Sequence, residues 1–339
     1  MIDIMKKTLY LLIVVVCWSC SNNSDTEKYQ NKRNSIIKSK ELIKEILIED
    51  VLIGPVANPS IIGNYLVITN HNAIDKLIYI FDKNRFKYFA GITSRGQGPD
   101  EIANMGHLAT DEANSMFYVS DHGKQLIFAY HLDSVLINPE YKPEIKMIMN
   151  RAMFPNEYEY INDTLCIGSI VEPIGVGDFT QSIAKWNMNT GEIKPMKYRH
   201  PKIEKKKGIS FAISPENNIY VECYARYDLM TICDLEGNLK YNIYGPNWVA
   251  EERIPKHHYG KVIFCNDMIW AAYSGGNWYN DEYAPTFFIA FDINGNYIKT
   301  IEIGYKIQRF CFDKENNRVI MNLDSAEMQF AYLDLDGLI

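Results

Sequence analysis

Two kinds of short apolar run alternate along the chain. One kind ends near Asp, Asn or His: LIYIFD (77–82), LIFAYH (126–131), SIAKWN (182–187), LMTICD (229–234), FFIAFD (287–292) and MQFAYLD (328–334). The other kind precedes each of these: NYLVITN (64–70), SMFYVSD (115–121), DTLCIGS (163–169), NNIYVEC (217–223), DMIWAAY (267–273) and NRVIMNL (317–323). Six of each in strict alternation mark an internal repeat. The ends of the first kind recur every 42 to 58 residues, room for four short strands and their loops. Turn chemistry agrees. DLEGN (234–238), DINGN (292–296), NMNTGE (187–192) and DLDG (334–337) follow the first kind. Asp or Asn opens such a turn, and Gly supplies the positive φ of a tight hairpin. The pattern predicts an all-β chain folded as a six-bladed β-propeller.

The sixth copy reaches only its third strand before Ile339. Residues 41–50 (ELIKEILIED) are strand-compatible and have no blade of their own. They are expected to supply the missing strand, so that an N-terminal strand in the last blade closes the ring and leaves no unpaired edge. A short helix over Glu41–Glu49 is the other reading.

The first residues read as an address. Lys6 and Lys7 precede a short apolar stretch, TLYLLIVVV (8–16), with the layout of a secretory signal. The segment ends CWSC, and Ser19 before Cys20 resembles the end of a bacterial lipobox. Residues 1–19 are therefore expected to be a lipoprotein signal, with Cys20 lipidated as the mature N-terminus. Residues 20–40 are polar and aperiodic and are expected to form a flexible tether. Residues 41–339 are expected to form the propeller. This places the protein in the cell envelope, lipid-anchored, at the outer membrane.

Composition narrows the classes. Hydrophobic residues make up 47% of 339, enough for a sizeable core. The net charge of −7 argues against a nucleic-acid partner, whose footprint is a basic field. Five cysteines lie beyond Cys20, in the mature fold: Cys166, Cys223, Cys233, Cys265 and Cys311. None forms a C-x-x-C pair, so metal or thioredoxin-like chemistry is not expected. Cys223 and Cys233 could meet across a hairpin. Asp292-x-Asn294-x-Asn296 has Tyr297 where a calcium loop needs Gly, so it reads as a turn. Lys205-Lys206-Lys207 reads as a solvated loop.

The segment FAGITSRGQGPDEI (89–102) is similar to the G-x-G-P-x-E-[FI] signature of TolB-like and NHL-like six-bladed propellers. With the lipoprotein signal, the chain resembles the TolB-like propeller lipoproteins of Bacteroidetes over residues 41–339. Asp100 and Ile102 stand where Gly and Phe are commoner. The resemblance implies the fold rather than an activity. Pro99 removes an amide donor and a strand follows, so Gly96–Pro99 reads as a blade-to-blade turn rather than a phosphate cradle. Glu101 is expected to anchor it, leaving Arg95 and Asp100 to face a ligand.

In a propeller, the loops joining second to third strands share a face with those joining successive blades. The long loops here are 169–182, 273–286, 139–158 and 244–260. Long loops on a rigid scaffold are where function concentrates. Exposed Trp, Tyr and Arg suit recognition. The expected contact residues are Trp278, Tyr279, Tyr283, Trp248, Arg253, Arg226 and Arg95. His107, in the innermost strand of blade 2, is expected to line the central tunnel. The leading reading is a non-enzymatic binding or scaffold module holding a protein, peptide or glycan, with no cofactor, metal or catalytic residue. The alternative is a lyase- or lactonase-like enzyme with a metal at the tunnel mouth, drawing on His107, Asp228, Asp121 and Glu222.

Overall fold

The computed structural model describes residues 25–150, 153–176, 178–250, 256–280 and 282–338. Six four-stranded antiparallel blades follow one another along these residues. Blade 1 is Ala57–Ile62, Tyr65–Asn70, Lys76–Asp82 and Tyr88–Ser94. Blade 2 is Met105–Asp111, Met116–Asp121, Leu126–His131 and Glu144–Ile148. Blade 3 is Pro155–Asn162, Leu165–Gly175, Asp178–Trp186 and Ile193–Pro195. Blade 4 is Ile209–Ser214, Ile219–Tyr224, Leu229–Asp234 and Leu239–Tyr244. Blade 5 is Lys256–Cys265, Met268–Asn277, Phe287–Asp292 and Tyr297–Glu302. Blade 6 is Lys306–Asp313, Arg318–Asp324 and Phe330–Asp334, completed by Lys44–Glu45 from the N-terminal side.

The six predicted pairs of runs are the second and third strands of the six blades. These strands are mostly apolar because both their faces are covered. Each hydrophobic core lies between two neighbouring blades: Ile78 and Phe117 share one, and Met230 and Ile289 another. The first and last blades meet in the same way, through Leu66, Ile68, Ile320 and Phe330. The turns behave as their residues require. Asp292 Oδ1 accepts the amides of Asn294 and Asn296, both at 2.9 Å, and Gly295 takes φ +78°. It is a hairpin turn.

The segment 139–158 is not one blade-to-blade loop. Glu144–Ile148 pairs with Leu126–His131 as the outer strand of blade 2, and an α-helix, Leu132–Ile137, fills the connection before it. The five cysteines are buried and free. Register keeps two of them apart: Cys223 faces Met230, and Cys233 faces Tyr220.

The N-terminal stretch departs most from expectation. Residues 27–45 form a strap instead of a flexible tether. Glu27–Tyr29 adds a fifth, parallel strand to blade 4, and Ile36–Lys38 does the same on blade 5. A 3-10 turn at Lys40–Leu42 then leads to Lys44–Glu45, so strand closes the seam and the rest of 41–50 is turn and irregular backbone. Polar composition concealed this, because the strap's bonds are polar. Glu27 accepts from Asn242 Nδ2 at 2.9 Å and from the Tyr244 hydroxyl. Tyr29 stacks on Tyr244, and Lys28 lies over the Tyr241 ring.

Arg33 locks the strap between blades 4 and 5. Its Nη1 meets Asp228 Oδ1 at 2.9 Å, with 6% and 0% of the two side chains exposed. Its Nη2 donates to the Tyr259 hydroxyl at 2.8 Å, and its Nε to Gln30 at 3.0 Å. Asp228 Oδ2 accepts from the Asn247 amide at 3.0 Å and the Tyr273 hydroxyl at 3.1 Å. Removing one partner of such a pair leaves a buried charge uncompensated. Arg33→Ala is expected to lower stability by about 3–5 kcal/mol in equilibrium urea unfolding. Lys44→Ala, which removes an exposed pair with Asp334, is expected to leave the urea midpoint nearly unchanged.

Candidate binding face and central channel

Two hairpins rise from the face that carries the blade-to-blade links. On blade 5, strand Met268–Asn277 runs beyond the blade into a 3-10 turn, Trp278–Asn280. The returning chain passes so close that a Cβ on Gly276 would meet the Glu282 carbonyl oxygen at 2.0 Å. Ser274 Oγ donates to that oxygen at 2.6 Å and accepts the Gly276 amide at 2.9 Å. The arm stacks Trp278 on Tyr283, ring centres 4.7 Å apart and 8° from parallel. His257 meets Trp278 edge-on at 5.6 Å. Half of Trp278 and 82% of Tyr279 remain exposed.

On blade 3 the expected loop 169–182 is two long paired strands, Val171 opposite Gln181 and Pro173 opposite Phe179. Ile174, Val176 and Phe179 are exposed towards its tip. Lys205 and Lys207 both pair with Asp178 near its tip, so two of the three lysines staple the arm rather than form a solvated run. Hydrogen bonds from Lys207 and Lys205 hold the Asp178 carboxyl well below the usual carboxylate range. The third, Lys206, is buried against Glu222 at 2.7 Å.

Of the expected contact residues, Trp278 and Tyr283 are brought together, with Tyr279 beside them. Trp248 is instead half-buried on blade 4 among His200, Tyr227 and Tyr244, with ring centres 4.8–5.9 Å away. Arg226 is exposed between the second and third strands of blade 4. Arg95 is exposed on the link from blade 1 to blade 2, where its Nη2 donates to the His71 carbonyl. Glu101 anchors that link by accepting the Gly98 amide at 2.8 Å, while Asp100 pairs with Lys142 at 2.6 Å. Arg253 and Cys20 lie outside the described residues.

His107 stands on the channel wall. It lines a cavity of about 310 Å³ at the channel mouth and a second of about 270 Å³ further along the first strands, towards the opposite face. The first strands of all six blades contribute to the mouth cavity, through Asn58, His107, Glu157, Ser210, Lys261 and Arg309. Glu159 and Lys261 line both cavities. The sequence reading missed both carboxylates and both cations. One signal pointed to the carboxylates: in NEYEY (156–160), period two puts Glu157 and Glu159 on one face and Tyr158 on the other.

The four residues of the enzyme alternative do not converge. Asp121 caps a loop by accepting the amides of Ala103, Asn104, Gly123 and Lys124. Asp228 is held by Arg33, and Glu222 by Lys206. Among the described residues no group of three or more His, Cys, Asp or Glu is placed to hold a metal ion.

The fold and the channel define a six-bladed β-propeller. A family model described as a 6-bladed beta-propeller, DUF5128, matches residues 24–161. No curated protein matches the chain. Among solved structures, a member of the DUF4221 family from Bacteroides vulgatus aligns with TM-score 0.59 and 13% identity, covering 86% of this chain and 95% of its own. A calcium-binding protein, regucalcin from Agrobacterium tumefaciens, aligns with TM-score 0.54 and 9% identity over 88% and 94%. A luciferin-regenerating enzyme aligns with TM-score 0.55 and 10% identity over 87% and 95%. At these identities the likeness is one of fold.

Burial makes the histidines acid-sensitive. His200 and His258 are each 2% exposed, and desolvation lowers both to about 4. The unfolded chain therefore takes up these protons near pH 6.5, before the folded one does. Stability is expected to fall as pH drops from about 6.5 towards 4, by up to roughly 1.4 kcal/mol per pH unit per buried histidine. Thermal unfolding midpoints recorded from pH 7.5 to 5 test this. His200→Gln with His258→Gln is expected to flatten the slope.

Proposed function

We propose that the protein is a non-enzymatic binding module of the cell envelope, anchored at the outer membrane by a lipid on Cys20. It holds a protein, peptide or glycan on the face that carries the blade 3 and blade 5 arms. One observation carries this reading: a rigid ring presents exposed Trp278 and Tyr279 on one arm and Ile174, Val176 and Phe179 on another. Aromatic anchors on rigid elements bind with little loss of freedom, and Trp and Tyr dominate interface energetics. The alternative, a metal-dependent enzyme, has lost three of its four residues to structural bonds.

The test is affinity purification from cross-linked native envelopes, comparing the natural protein with a Trp278→Ala, Tyr279→Ala double variant. A near-stoichiometric partner is expected, captured at least tenfold less by the variant. Equal capture by both proteins would remove the arm from the binding site. Metabolic labelling with a fatty acid is expected to mark the natural protein and not Cys20→Ala.

A further inference from the structure

The arms leave the channel without a role, yet it carries the densest unpaired charge in the ring's interior. Glu157 and Glu159 project from the first strand of blade 3, Arg309 from that of blade 6 and Lys261 from that of blade 5. In a six-membered ring, blade 3 stands opposite blade 6. Arg309 therefore faces the two carboxylates across the channel, and Lys261 stands on the neighbouring blade 5, near enough to Glu159 to interact with it through space. Among the described residues, no hydrogen bond or ion pair satisfies the side chains of Glu157, Glu159 or Lys261. Elsewhere this chain pairs its enclosed charges closely: Arg33 with Asp228, Lys206 with Glu222, and Lys83 with Asp313 at 3.2 Å.

We infer that the channel is a binding site for a small zwitterion, a free amino acid or dipeptide, with its ammonium on Glu157 and Glu159 and its carboxylate on Lys261 and Arg309. Size agrees. The mouth cavity, at about 310 Å³, lies at the small end of the range of small-molecule sites, about 300–1,000 Å³. Position agrees as well, because Glu159 and Lys261 line both cavities and so stand where the two adjoin inside the channel. A ligand there touches both signs of charge at once. His107, lowered by burial to about 4, is neutral near pH 7 and offers a hydrogen bond without adding charge. A lone anion would meet the two glutamates, and a lone cation would meet Lys261 and Arg309. Only a molecule with both charges satisfies both pairs. This inference does not depend on the reading of the arms.

Isothermal titration calorimetry of the full chain tests it, using the standard free amino acids and L-alanyl-L-alanine as probes. At least one probe is expected to bind. Its N-acetyl form, which lacks the ammonium, and its carboxamide form, which lacks the carboxylate, are each expected to bind at least tenfold more weakly. Glu159→Gln and Lys261→Met are expected to weaken the free ligand to a similar degree. Arg309→Gln, an exposed position, gives a further variant should either of those fail to fold. The inference is overturned if no probe binds, if the blocked forms bind as tightly as the free one, or if the folded variants retain full affinity.

Discussion

A ring of blades holds together only where its seam is sealed. Every core here lies between two blades, so no blade keeps its apolar faces dry without both neighbours. The seam between blades 6 and 1 carries the same load as the other five contacts. The covalent chain does not cross it in the ordinary way, because blade 6 draws its outer strand from residues 44–45. Two paired residues are a small closure by themselves. The strap enlarges it: the same segment adds strands to blades 4 and 5 and sinks Arg33 between them. Detaching the strap as a whole therefore means peeling a run of hydrogen bonds and exposing a buried ion pair. The strap also covers the outer edges of three blades, which would otherwise present unpaired strands.

Closure in turn makes the face rigid. The blade 5 arm is an extension of strands whose lower halves are buried between blades 4 and 6. Trp278 is held by Tyr283 behind it and His257 at its edge, so its exposed half is presented in one orientation. On blade 3, Lys205 and Lys207 meet at Asp178 and tie the arm to the link that follows the blade. Exposed apolar side chains on flexible loops would favour non-specific contact. On braced hairpins they define a shape.

How much of this was legible follows from which faces are covered. Strands covered on both faces, such as those holding residues 66–68 and 288–291, read as unbroken apolar runs and showed the repeat directly. Turn residues such as Asp292 and Gly295 act locally, so their reading needed no tertiary knowledge. The strap was invisible because its attachment is made of backbone pairing, Glu27, Lys28 and Arg33, which in sequence resemble a solvated tail. Trp248 was only partly legible, for the opposite reason. An aromatic residue in a long loop looks fully available, yet His200, Tyr227 and Tyr244 pack against it and leave it half-buried. Composition tells what a side chain is, and only the ring tells what stands next to it.

The same logic separates the positions that hold the fold from those free to specialise. Second and third strands are pressed between blades, and a change of volume there opens a cavity or forces an overlap. First strands have one face in a core and the other in the channel. Along 157–160, Tyr158 is buried and Glu157 and Glu159 are exposed to the channel. A substitution on the channel face alters charge without disturbing packing, and so does one at an arm tip. A likeness of fold at 9–13% identity is compatible with such a division, in which an apolar pattern suffices for the ring and few individual residues are required by it.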